Sequence, residues 1–338
     1  MAQPGSNTGS ARGFDDQMAA LDALKGRELD AAAVLFVKKM LANRSNYLVG
    51  KAARLAEENN LRDLLPDLLT AFNRFFENAE KSDPQCWAKN ALSRALTKLE
   101  CRDKEVFLRG LTFHQYEPVW GGRSDTAGTL RGNCALALVV CEGLITSDLL
   151  ILLLEPLTDA DKSVRVEAVR ALAALGSPAV PLLRMRALVP GEEPEEMLAA
   201  CFQALLALER EDAVPFVARF LANGDGSAAE AAFALAGTHL PAALDALLQS
   251  QKETRDPWFM GVLLSAIALT RLPEGINFLI GLIEHEAREA EAAIEALARL
   301  GQGTEAGEEL QARIAKVVEE TGSPRLQKAY EKHTAGGA

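Results

Sequence analysis

Long apolar runs are scarce in this 338-residue chain: Ala135–Val140 and Leu149–Leu154 are short runs that fall far short of a membrane span. The opening MAQPGSNTGSARGF lacks an apolar export segment, so no membrane association and a cytoplasmic location are expected. Aromatic residues make up 6% of the composition, and nothing reads as a strand. The five cysteines (Cys86, Cys101, Cys134, Cys141, Cys201) are odd in number and none is paired at metal-ligand spacing. They fit small apolar core residues in a reducing compartment. His114, His239, His285 and His333 form no His-x-x-x-His pair, so no metal site is expected. A nucleophile elbow, a P-loop and a Cys-x-x-Cys motif are all missing. Gly301–Gly307, GQGTEAG, has the letters of a nucleotide fingerprint but follows a helix where that motif requires a strand. No catalytic residue and no cofactor is expected.

Net charge is −11, and it is uneven: residues 1–170 carry 22 basic and 23 acidic side chains, residues 171–338 carry 14 and 24. Such a surface repels phosphate backbones and disfavours nucleic acid as a partner.

What the chain has in quantity is alanine, leucine and repetition. Asp159–Gly176, DADKSVRVEAVRALAALG, is the template. Its alanine recurs at Ala56, Ala95, Ala137, Ala171, Ala204, Ala234, Ala268 and Ala296, at intervals of 39, 42, 34, 33, 30, 34 and 28. A leucine follows in every unit but the first, where Glu57 stands. Periods of this length denote stacked supersecondary units, and a small side chain lets two helices approach closely. An acid twelve residues before the anchor and a base six before it occur three times: Asp83/Lys89, Asp125/Arg131 and Asp159/Arg165. The acid alone persists as Glu192, Asp256 and Glu284. Recurrence in successive units makes this acid–base ladder a structural contact between helices rather than a catalytic group.

Asp159, Val164-Arg165, Ala168, Leu172 and Leu175-Gly176 resemble the HEAT-repeat family, in particular the subgroup of phycobilisome lyases, over roughly residues 28–320. The resemblance implies an all-α, right-handed, armadillo-like superhelix (α-solenoid) of about eight HEAT-like helix pairs, with second helices lining a concave binding groove. The expected organisation is a disordered tail at 1–13, one solenoid domain at 14–332 and a disordered tail at 333–338. Phe14–Leu24 and Gly307–Lys332 would cap the two ends.

One interruption stands out. HQYEPVWGGRSD, residues 114–125, adds about eight residues to its unit and is rich in Pro, Gly and aromatics. Loops on a rigid scaffold carry recognition, and Tyr, Trp and Arg dominate binding energy. His114, Gln115, Tyr116, Glu117, Trp120 and Arg123, with Lys89, Arg94 and Arg131, are therefore candidate partner contacts. The alternative is a loop folded over its own groove with Trp120 as a plug. The expected function is a non-catalytic scaffold or adaptor that binds a protein or peptide. A lyase-like enzyme subunit holding a tetrapyrrole or another small ligand, a nucleic-acid binder and a self-associating rod are the rivals.

Overall fold

A computed structural model describes residues 8–189, 195–300 and 305–334. The described residues are helical, joined by turns and by one two-stranded hairpin. The chain falls into two compact units, Met1–Leu175 and Gly176–Ala338.

In the first unit run α1 (Thr8–Ala23), α2 (Ala31–Leu41), α3 (Asn46–Glu58), α4 (Leu65–Arg74), the single turn α5 (Ala79–Ser82), α6 (Trp87–Lys98) and α7 (Lys104–Leu111). The hairpin β1 (Tyr116–Val119) and β2 (Gly122–Asp125) follows, then α8 (Gly128–Leu138), α9 (Thr146–Leu152) and α10 (Lys162–Ala174). Pairs form as α2 on α3, α4 on α6 and α7 on α8, and the second helices α3, α6, α8 and α10 pack each on the next. Gly128 of α8 leaves room for the Asp161 side chain that caps α10: a Cβ added to Gly128 would sit 1.8 Å from Asp161 Oδ2.

The second unit holds α11 (Val180–Leu188), α12 (Glu195–Glu209), α13 (Val214–Ala218), α14 (Gly226–Ala236) and α15 (Pro241–Glu253). It continues with α16 (Pro257–Leu269), α17 (Pro273–Glu284), α18 (Ala290–Ala298), α19 (Glu305–Thr321) and α20 (Pro324–Thr334). Here α12, α14, α16, α18 and α20 pack in succession.

Local chemistry sets the boundaries. Asp30, Asp103, Asp161, Asp225 and Asp256 each accept a hydrogen bond from a first-turn N–H of the helix they precede. Pro241, Pro257, Pro273 and Pro324 open their helices, where the missing N–H costs nothing. Left-handed residues stop the second helices: Asn60, Glu100, Gly176, Arg210, His239 and Arg271 all have positive φ. All eight anchor alanines are buried, as are the leucines after them except Leu269, the last residue of α16, which is exposed.

Several expectations are corrected. The chain does contain strands, because HQYEPVWGGRSD folds into the hairpin. Residues 8–13 are helical, within α1, and α20 extends through His333 to Thr334. Residues 1–7 and 335–338, Glu192 and the first four residues of GQGTEAG lie outside the described residues.

Candidate functional site

The acid–base ladder forms the floor of the site. Asp83, fully buried, accepts from the N–H groups of Ala88 (2.8 Å) and Lys89 (3.0 Å), from Lys89 Nζ (3.0 Å) and from Asn46 Nδ2 on α3 (3.1 Å). Lys89, also fully buried, donates as well to Phe75 O at 3.2 Å and lies over the rings of Phe76 and Phe113. Arg131 joins two rungs: Nη1 reaches Asp125 Oδ2 at 2.7 Å, while Nε and Nη2 grip Asp159 at 2.7 and 3.0 Å. This planar fork suits a bidentate carboxylate, which an ammonium cannot match. Arg165 continues the pattern by donating to Asp159 O at 2.7 Å. Burial alone would lower the Arg131 pKa, but Asp159 and then Asp125 outweigh it and hold the guanidinium above its ordinary value.

The hairpin stands on this floor. Its register pairs Tyr116 with Asp125, Glu117 with Ser124, Pro118 with Arg123 and Val119 with Gly122. Trp120-Gly121 makes the turn, and Gly121 takes φ +87°, which L side chains rarely adopt. Gln115 is buried beneath the strands and donates Nε2 to Asp83 O at 2.9 Å and to Glu117 Oε1 at 2.6 Å. Glu117 Oε1 also accepts from Gln85 N (2.6 Å) and Thr126 Oγ1 (2.8 Å). Burial would raise the Glu117 pKa, yet these hydrogen bonds and the charge of Lys89 hold it below the usual carboxylate value. Asp125 accepts from the N–H groups of Gln115 and Ala127, both at 3.0 Å, and pairs with His114 Nδ1 at 2.8 Å. Burial opposes ionisation there too, and the donors together with Arg131 pull the Asp125 pKa down to about 2. At the outer edge Arg123 binds Glu80 at 2.8 Å and donates to Tyr116 O.

The structure sorts the candidate residues into an enclosed base and an exposed tip. Lys89, Arg131 and Gln115 are corrected from partner contacts to interior residues, because their polar atoms are committed to the ladder and the hairpin base. Asp83, Asp125, Asp159 and Arg165 make the hydrogen bonds of the ladder. Glu117 works as an anchor. His114 and Arg123 are exposed but paired, and Arg94 lies apart on α6, 3.7 Å from Glu57. Trp120 is fully exposed, and Tyr116 and Val119 are half exposed, so the plug reading is overturned.

Sequence reading missed Val119, the hairpin itself and a second aromatic group. Tyr47 and Trp87 lie with ring centroids 5.6 Å apart, and the Arg54 guanidinium sits 5.2 Å from the Trp87 ring centre. The available hairpin signal was Gly121-Gly122 between short runs of alternating side chains, weakened by Pro118, which demotes a strand.

Among the described residues no group of three or more His, Cys, Asp or Glu could hold a metal, and no helix is long and apolar enough to cross a membrane. Compared with protein-family models and with curated proteins, the chain matches none.

Proposed function

We propose that the paired helices form a HEAT-like solenoid and that the protein is a non-catalytic adaptor, recognising a protein partner through the 114–125 hairpin. The observation that carries this reading is a fully exposed Trp120 at the tip of a hairpin whose base is fixed by Gln115, Glu117 and Asp125. An exposed indole contributes nothing to the chain's own core, while a rigid aromatic on a preorganised support binds with little ordering cost. The ladder charges are unsuited to catalysis, since Asp83 and Lys89 are sealed from solvent and engaged with each other. Five free cysteines are consistent with a reducing cytoplasmic setting.

The test is capture of partners from the source lysate by the wild type and by a Val119→Ser/Trp120→Ala variant, which leaves every hairpin anchor in place. A partner held by the wild type should bind the variant at least ~30-fold more weakly, as loss of a hot-spot aromatic does. Equal binding to both would move recognition to the helical groove. A wild type that retains no protein ends the adaptor reading and turns attention to small ligands.

A further inference from the structure

We propose that Cys101 and Cys141 form a reversible intramolecular disulfide that clamps two successive helix pairs of the first unit when the chain meets a peroxide. Cys101 lies in the turn after α6 and Cys141 in the turn after α8, and the two turns are sewn together. Glu142 N donates to Arg102 O at 3.4 Å, Arg102 Nη1 to Val140 O at 2.7 Å and Lys104 Nζ to Gly143 O at 3.2 Å. Both residues flanking Cys141 are thus bonded to the residue next to Cys101. These bonds hold the two turns side by side, and a disulfide between them requires Cα atoms roughly 4.4–6.8 Å apart.

Access separates this pair from the other cysteines. Cys101 and Cys141 retain 7% and 9% exposure, whereas Cys86, Cys134 and Cys201 have none. Cys141 Sγ has one hydrogen bond to give up, to Ala137 O at 3.4 Å. Cys141 lies within electrostatic reach of Cys101 and of Cys134, and of these two only Cys101 keeps any exposure.

The reaction balances with hydrogen peroxide as oxidant. Cys101 sulfur attacks one peroxide oxygen, the O–O bond breaks, and the products are a sulfenic acid and one water. Cys141 sulfur then attacks the sulfenic sulfur; an S–S bond forms, the S–O bond breaks and a second water leaves. The two thiols give up two electrons, which the peroxide takes. Burial pushes the Cys141 thiol up to about 11 and raises Cys101 as well, so thiolate is scarce at neutral pH and oxidation speeds up as pH rises. Closure would tie the α6–α7 turn to the α8–α9 turn, bracketing the segment that carries the hairpin.

The experiment treats the native full-length chain with hydrogen peroxide, blocks free thiols by alkylation and maps unreduced peptides by mass spectrometry. The expected result is a monomer with a Cys101–Cys141 linkage, two of its five thiols lost and both regained with dithiothreitol. The same dose on Cys141→Ser should leave its remaining thiols free of any disulfide. Retention of all five thiols in the wild type, a linkage through Cys134, or cross-linking between chains would overturn the proposal. Because the wild-type map alone decides the pairing, the outcome does not depend on how well the variant folds.

Discussion

Arg131 shows how much one side chain settles in this molecule. Its guanidinium holds Asp125 of its own helix pair and Asp159 of the next, so a local sequence motif becomes a link between repeats. In the preceding helix pair Asp83 and Lys89 fill the corresponding role, with Asn46 supplying the contact across the pairs. Removing one partner of a buried pair strands the other charge in an apolar setting. Asp83→Ala should therefore cost roughly 3–5 kcal/mol of stability, measured as a lowered urea midpoint. Asp125 adds a pH dependence. Its folded pKa of about 2 lies below the ordinary 3.8, so the unfolded chain takes up the proton first. The stabilisation is complete above the unfolded value and is lost as pH falls from about 4 to about 2, a change of about 2 kcal/mol. Thermal melts across that window should show the loss in the wild type, and Asp125→Asn should flatten that contribution.

At the scale of elements, the helices were legible because each carries its own signals. Asp or Pro starts many of them, apolar residues recur at helical spacing, and in the second helices the anchor alanine marks the buried face. The spacing predicts Pro257–Leu269, and α16 spans those residues. The hairpin was not legible for an equally physical reason. Its strands have four residues each, include Pro118 and are tied to the rest of the fold by contacts to Asp83, Gln85 and Glu80, over thirty positions away in sequence. Local propensity registers none of these. Because none of those contacts involves Val119 or Trp120, the tip should be free to change. Val119→Ser/Trp120→Ala should alter folding stability by under about 0.5 kcal/mol while weakening partner binding; a large drop in melting temperature would show that the tip is structural.

For the whole molecule, composition constrains partners more than shape does. The net charge of −11 and the excess of acid in residues 171–338 predict no retention of duplex DNA in a gel-shift assay at low salt. Retention that weakens steeply as salt is added would contradict this and point to a basic stripe that the net charge conceals. Within each compact unit, successive second helices pack on their neighbours, which makes the repeat visible in sequence also the unit of packing.

The sequence by itself determined the helical class, the repeat, the buried alanine register and the pairs Asp83–Lys89 and Asp125–Arg131, because each depends on short-range spacing that the chain writes directly. Tertiary structure decided which charges are interior. Lys89, Arg131 and Gln115 look like surface residues by type, and only the packing of several helices seals them in and commits their donors. It also decided that Trp120 faces solvent. A plug and a protruding tip have the same letters, and the choice between them rests on hydrogen bonds made at the other end of the hairpin.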